Sequence, residues 1–350
     1  MSSQAPGPAR PRAELAAAME HRTRLILDVD TGTDDALALL LALRVPTVEV
    51  LAVTCVHGNV DVDQVLDNTL RTLDAAGARP DLPVARGFEA PLVEPVKHCP
   101  EIHGQDGLAD LRPALPASRR KPCRQHAVEL LNETLRAAGG PVTVVALAPL
   151  TNIAVAARMC PALWREKVER IAWMGGAVAS GGNAAPWAEA NARYDPEAAH
   201  MVLGSGLPLL IYPWDVFLKV GFTKQELLAL DVADAEGARA GEGERPAWSL
   251  LAGRLLWREL QHFGVEETMI GDAGALAAVL RPGAVKTKRL HVAVELQGSL
   301  TRGMTACDLR GFAHPPDEPK RPANAEVVVD LDARAIKAFF AEHVLSPPEQ

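Results

Sequence analysis

Four acids within eight residues, Asp28, Asp30, Asp34 and Asp35, stand between a short apolar run, Leu25 to Leu27, and a longer one, Ala36 to Leu43. The first run has the length of a buried parallel strand and the second consists of strong helix formers, so the acids fall at a strand-to-helix turn. In open α/β folds such a turn lies at the carboxyl edge of the sheet, where ligands bind. Like charges this close beside apolar walls are costly unless a cation neutralises them. Carboxylate oxygens with no cysteine or paired histidine nearby select a hard divalent ion, calcium or magnesium, over zinc or iron. Helix capping competes as an explanation, since Asp34 or Asp35 could face the positive end of the helix dipole, but it accounts for only one or two of the four acids.

The rest of the chain alternates in the same way. Val48 to Val56, Pro83 to Arg86, Pro141 to Leu147, Arg170 to Met174 and Leu207 to Tyr212 read as strands; Asp63 to Ala76, His126 to Ala138, Trp248 to Phe263 and Ala333 to Val344 read as helices. This predicts an α/β fold: one open, mainly parallel, Rossmann-like sheet flanked by helices, in a single domain over residues 25–345. Leu290 to Leu296, Gly303 to Leu309 and Glu326 to Leu331 are expected as strands of an edge region. Asp231 to Glu244, rich in Ala, Gly and charge, is expected as an exposed connection.

Several polar residues interrupt this pattern where a ligand would sit. Gly87 to Ala114 is a long irregular segment carrying His103, which reads either as a binding-loop contact or as a solvated loop histidine. Thr151 and Asn152 follow a strand and read first as helix caps. The Gly- and Ala-rich stretch Ala177 to Asn191 carries Asn183, Glu189 and Asn191, whose amides and carboxylate suit the hydroxyls of a sugar. Asp195-Pro-Glu197 opens a helix as cap and acidic first turn. Gly271-Asp272 repeats the opening arrangement, an acid directly before an apolar helix.

Composition narrows the function. A net charge of −8 gives no electrostatic footprint for nucleic acid or an anionic membrane, which leaves a small-molecule ligand. The five cysteines are odd in number, widely spaced and free of any C-x-x-C pair, so they read as reduced thiols of a cytoplasmic protein. No uninterrupted apolar run reaches the length of a membrane span. Residues 1–24, rich in Ala, Pro and Arg without an apolar signal core, are expected as a disordered leader.

Taken together, Asp28-x-Asp-x-Gly-x-Asp-Asp-Ala36, Leu150-Thr-Asn-Ile-Ala154, Trp173-Met-Gly-Gly176, and Asn183 through Asn191 followed by Asp195-Pro resemble the inosine-uridine-preferring nucleoside hydrolase family. The resemblance covers Leu25 to Val344 and implies a calcium-dependent enzyme that cleaves the N-glycosidic bond of ribonucleosides, in nucleoside salvage or catabolism, as a homodimer or homotetramer. Carried over by position, it implies that Asp30, Asp35 and Asp272 ligate calcium through side chains and Thr151 through its main-chain carbonyl. It assigns Asp34 to the ribose 2′-hydroxyl, Asn183 and Glu189 to the 5′-hydroxyl, and Asn191 and Asp272 to the 3′-hydroxyl. Met174 would line the ribose pocket, Asn59 takes the family's polar position after the second strand, and His103 matches a histidine of the pocket loop. With the cation activating a water and Asp30 taking its proton, attack at C1′ would pass through an oxocarbenium-like state.

One departure stands out: many members carry a His directly before the acid equivalent to Asp272, as proton donor to the departing base, and here Gly271 takes that place. His103, or His262 and Trp257 on a preceding helix, are the other groups near enough in sequence logic to serve, although core packing is the simpler role for the last two. Two alternatives from other classes remain. A haloacid-dehalogenase-like phosphatase would explain Asp28-Val-Asp30, but that class wants Thr or Val where Gly32 stands. A nucleoside- or sugar-binding protein that has lost catalysis would explain Gly271.

Overall fold

The structure, a computed structural model, describes residues 22–232, 245–311 and 319–346. The leader expected over residues 1–24 lies outside the described residues except for its last three, of which Thr23 and Arg24 already belong to the first strand. All but the first two residues of the Asp231 to Glu244 connection lie outside them as well.

Strands β1 (Thr23–Val29), β2 (Val48–Cys55), β3 (Val84–Arg86), β4 (Val142–Ala146), β5 (Val168–Met174), β6 (Leu209–Tyr212), β9 (Val285–Leu290) and β12 (Ala325–Leu331) form an eight-stranded sheet in the order β3-β2-β1-β4-β5-β6-β12-β9. Every pairing is parallel except that of β12 with β9. Strand β1 lies between β2 and β4, with Leu27 opposite both Val53 and Val145, and its last five residues are buried. A strand covered on both faces must be apolar throughout, which is why Leu25-Ile-Leu27 reads as a continuous run instead of an alternating one.

Helices α1 (Thr33–Arg44), α2 (Val62–Ala75), α3 (Ala127–Ala137), α4 (Thr151–Met159), α5 (Pro196–Leu203), α6 (Ala247–Phe263), α7 (Asp272–Leu280) and α8 (Ala333–Phe340) cover the sheet in two layers. One core joins α1, α2, α6, α7 and α8 to one face; the other joins α3, α4 and α5 to the opposite face. Helix α1 is buried almost all round, against the sheet and against α7, so its sequence shows little polar stripe. The chain runs from β1 outward to β2 and β3, then returns to β4 on the other side of β1 and continues to β5 and β6. That reversal leaves a crevice beyond the carboxyl ends of β1 and β4.

Three expectations change. The Glu326 to Leu331 segment is not at an edge: β12 is inside the sheet, between β6 and β9. The true edge, β9, begins before Leu290 and is masked in sequence by Lys286, Lys288 and Arg289, which are solvated as edge residues are. The remainder of the expected Leu290 to Leu296 strand is β10 (Val292–Val294), paired antiparallel with β11 (Thr305–Cys307) in a separate hairpin. A two-stranded ribbon pairs β7 (Gly221–Thr223), which precedes α6, with β8 (Glu267–Met269), which joins α6 to α7, and both strands are too short to leave a periodic signal. No helix among the described residues is long and apolar enough to cross a membrane, and none of the five cysteines is paired.

Candidate active site

The crevice opens into a cavity of about 480 Å³. Its foot is acidic: Asp30 directly follows β1, Asp34 lies in the first turn of α1 and Asp272 starts α7. Carboxylate oxygens of Asp34, Asp35 and Asp272 lie within 4.8 Å of one another. Helix capping explains Asp35 in part, because its carboxylate accepts from the N–H of Gly32 at 2.9 Å and of Asp30 at 3.2 Å. It explains neither Asp30 nor Asp272. Asp30 Oδ2 accepts from Asn59 N at 2.8 Å, while Asp30 Oδ1 is buried without a partner.

Electrostatics show what this arrangement lacks. Burial raises the carboxyls of Asp30 and Asp272 well above the usual range, and the neighbouring carboxylates push both further in the same direction. Asp35, raised first by burial and next by Asp34, moves up to about 8. Asp30, Asp35 and Asp272, whose ionisation burial and neighbouring carboxylates oppose, form together with Asp34 an all-oxygen donor set suited to a hard divalent cation, with one buried oxygen of Asp30 unpartnered. Asp34 is the most open of them, its side chain 15% exposed, and faces the cavity.

Above the foot, Asn191 Nδ2 donates to the carbonyls of Leu147 and Met174, each at 3.0 Å, which leaves its amide oxygen as the free hydrogen-bonding atom. Glu189 caps the turn Ala190–Tyr194, accepting from Asn191 N at 2.8 Å, Ala192 N at 3.1 Å and Gly176 N at 2.7 Å; burial pushes its carboxyl up to about 7. Asn183 is more exposed and accepts from Ala190 N at 2.8 Å. Asp215 fixes this loop by accepting three amides, from Val178, Ala179 and Ser180, at 2.7 to 2.9 Å. The rim is apolar and aromatic, with Met174, Trp214, Phe217, Leu218, Phe263 and Val265 around the mouth.

Asp30, Asp34, Asn59, His103, Met174, Asn183, Glu189, Asn191 and Asp272 all border this one cavity, although they come from positions as far apart as 30 and 272. His103 is not a solvated loop residue: the segment Gly87 to Ala114 folds back so that the ring is 8% exposed, above the start of α1. Asp35 lies directly beneath, with Asn59 Nδ2 donating to it at 3.2 Å. Thr151 is the residue the structure does not bring here. It is the first residue of α4, its hydroxyl donates to Asp195 at 2.6 Å and lies 3.0 Å from His57 Nε2, and its carbonyl is committed to the helix ladder. Neither Thr151 nor Asn152 is a cap: Leu150 holds that position, and Asn152 Nδ2 ties Asp28 Oδ1 to the Cys55 carbonyl. The residue of this strand end that borders the cavity is Leu147.

Other lining residues went unread in the sequence. Glu259 stands on α6 in a stripe with Leu255, Leu256 and Leu260, all buried, and an acid on the apolar phase of a helix was the available signal. Trp214 and Phe217 follow the end of β6 and could have been found by the strand-end rule. Trp257 packs in the core, whereas His262 is exposed and its Nε2 lies 2.7 Å from the Glu101 carbonyl.

Comparison with known proteins gives the same direction. The model of the inosine-uridine preferring nucleoside hydrolase family matches residues 25–338. The pyrimidine-specific ribonucleoside hydrolase RihA of Salmonella schwarzengrund is 36% identical over 324 residues, covering 91% of this chain and 97% of its own. RihB of Escherichia coli, also named pyrimidine-specific, is 33% identical over 90% of this chain and 94% of its own. Among solved structures, an inosine-guanosine nucleoside hydrolase superposes with a TM-score of 0.82 at 31% identity, covering 93% of this chain and 98% of that one. The purine-preferring ribonucleoside hydrolase of Gardnerella vaginalis gives 0.77 at 28%, over 91% and 96%. A family match across the whole acidic cavity, with relatives that align nearly end to end, means that this chain belongs to the inosine-uridine preferring nucleoside hydrolases, enzymes that cleave ribonucleosides.

Proposed function

We propose that this chain hydrolyses the N-glycosidic bond of purine or pyrimidine ribonucleosides, releasing base and ribose, with calcium held by Asp30, Asp35 and Asp272. The observation that carries the reading is the convergence of the Asp34, Asp35 and Asp272 carboxylates, beside Asp30 with its orphaned oxygen, at the foot of a cavity lined in part by aromatic side chains. The cation would neutralise the cluster and make a water acidic enough to attack at neutral pH. Asp30 Oδ1, buried and unpartnered, is the acceptor for that water's proton. Asp34, the most open acid, is given to the ribose 2′-hydroxyl, and Asn191, Glu189 and Asn183 to the remaining hydroxyls. Fixing those hydroxyls holds the ring near the flattened shape that an oxocarbenium-like state requires. Leu147 replaces Thr151 as the source of a main-chain oxygen, since it borders the cavity. His103, which borders the cavity, is given to the departing base.

The phosphatase alternative loses its nucleophile. Asp28 is fully buried, its Oδ1 bonded by Thr54 at 2.5 Å and Asn152 at 2.8 Å, and it does not border the cavity. Free thiols fit a cytoplasmic setting, and nucleoside salvage or catabolism in a homodimer or homotetramer completes the proposal. The test is a panel of purine and pyrimidine nucleosides scored for reducing sugar after chelation and again after calcium is added back. Ribose release that depends on calcium and disappears in Asp30→Asn supports the reading. Near-normal turnover by Asp30→Asn, or nucleoside binding without ribose release, would overturn it.

A further inference from the structure

A loop delivers His103 to the cavity, and a loop alone does not hold an imidazole within the tolerance that proton transfer needs. Thr33 holds it. Thr33 Oγ1 lies 3.0 Å from His103 Nδ1, and Thr33 N lies 3.3 Å from the same nitrogen. Gly32 permits this approach, since a Cβ there would lie 2.7 Å from Nδ1. The Thr33 hydroxyl gives its one hydrogen to Glu259, so Oγ1 accepts from His103 Nδ1–H, and the protonated ring, the form able to give up a proton, carries its second hydrogen on Nε2. Nε2 has no partner among the described residues and is the ring atom left for the cavity that His103 borders.

Thr33 is held in turn. Its hydroxyl donates to Glu259 Oε1, and Glu259 Oε2 accepts from the Thr268 hydroxyl. The three side chains come from α1, α6 and the β7–β8 ribbon, so the link ties the loop histidine to rigid elements on the side of the cavity where the rim turns apolar. Nothing in the packing of α6 calls for an acid between Leu256 and Leu260. Burial pushes the Glu259 carboxyl up to about 7.

We propose that Glu259, acting through Thr33, is a positioning residue for His103 and holds the ring so that Nε2–H meets the departing base. The chain of contacts Glu259, Thr33, His103 takes over the task of a donor fixed at position 271, where this chain has glycine. The inference rests on the nucleoside hydrolase reading and on His103 facing the leaving group.

Two substrates separate the roles: inosine, whose base must be protonated to leave, and p-nitrophenyl riboside, whose leaving group departs without a proton. General acid catalysis contributes roughly 100- to 10,000-fold, so Thr33→Val and Glu259→Ala should each lower kcat on inosine at least about 10-fold more than on the activated riboside. Thr33→Ser and Glu259→Gln, which keep the hydrogen-bonding groups, should recover most of the wild-type ratio. Thr33→Val should add nothing to His103→Ala in the double variant, because both break one chain. Equal losses on both substrates, or losses that add in the double variant, overturn the proposal. If His103→Ala itself strikes both substrates alike, the assignment of His103 falls first; if it discriminates and Thr33→Val does not, only the positioning role falls.

Discussion

Gly271 shows how much one residue decides. Its φ is +51°, and a Cβ would lie 2.5 Å from Asp34 Cβ and 2.6 Å from Asp34 Oδ2. Position 271, where the family resemblance implies a histidine donor, is closed here by conformation and by the acid beside it, so that donor cannot simply be restored. Gly271→Ala should destabilise the fold by about 1–3 kcal/mol through backbone strain alone, measured by urea unfolding. Gly271→His should lose activity on inosine and on p-nitrophenyl riboside together, because displacing Asp34 disturbs the ribose and the acidic foot rather than the leaving group. A Gly271→His enzyme that gained on inosine alone would show that the site can accommodate the imidazole and that the steric reading is wrong. At this scale the sequence was most legible where chemistry and position coincide: Asp34, Asp35 and Asp272 announce themselves as acids at the starts of apolar helices, and Asp30 as an acid just past a buried strand. Thr151 was misread because a polar pair after a strand looks like a cap or a ligand, whereas its hydroxyl is taken by Asp195 and His57, both remote in sequence. Glu259 escaped for the same reason, since its partners Thr33 and Thr268 are meaningful only once three elements are folded together.

At the scale of elements, strands β1 to β6 and their helices followed from periodicity, while the pieces that shape the cavity's walls did not. Hairpin β10–β11 is an example: its segments read as strands of an edge region, but nothing local says that they pair apart from the sheet, and Thr305 on β11 both accepts from Ala177 N at 2.8 Å and donates to its carbonyl at 2.7 Å, anchoring the loop that bears Asn183 and Glu189. Next to it, Arg302 donates to Glu94 of the Gly87 to Ala114 segment and, at 2.6 Å, to Glu197 at the start of α5, while Arg193 lies 3.6 Å from Glu94. Ion pairs of this kind are legible in no window of sequence, because the members of both Arg302 pairs stand more than a hundred residues apart. The Arg302 guanidinium holds the Glu94 carboxyl below its ordinary value. A carboxyl depressed by folding stabilises the folded arrangement above its unfolded pKa and loses that contribution as the pH falls through the folded value. Protection of residues 88–99 against hydrogen exchange should therefore hold near neutrality and decline below about pH 4.5, the ordinary range of a glutamate. In Arg302→Met the protection should be low already at pH 7 and nearly independent of acid. Identical exchange in the two proteins at neutral pH would mean that the loop is fixed by its other contacts and that the cluster is incidental.

For the molecule as a whole, the fold collects its acids at one point and leaves the cost of doing so to a ligand. The reversal of strand order beside β1 brings the carboxyl ends of β1 and β4 and the N-termini of α1 and α7 to the same crevice. Two helix N-termini favour negative charge there, by about 0.3–1 kcal/mol each in exposed settings. That is far less than the repulsion and desolvation of the buried carboxylates of Asp30, Asp35 and Asp272, whose pKa values are accordingly raised. The metal-free protein is thus strained electrostatically, and a cation should stabilise it by about 2.7 kcal/mol at a concentration one hundred times Kd. Asp272 offers the cleanest test, since its side chain is buried and has no hydrogen-bond partner among the described residues, so that changing it to Asn removes charge without breaking a bond. In the presence of a chelator Asp272→Asn should melt at or above the wild-type temperature. With calcium added the wild type should rise by several degrees and Asp272→Asn should scarcely move, so that the order of the two proteins reverses. If the chelated variant were the less stable of the pair, Asp272 would be supporting the fold instead of straining it, and the case for a cation at the foot of the cavity would rest on Asp30 and Asp35 alone.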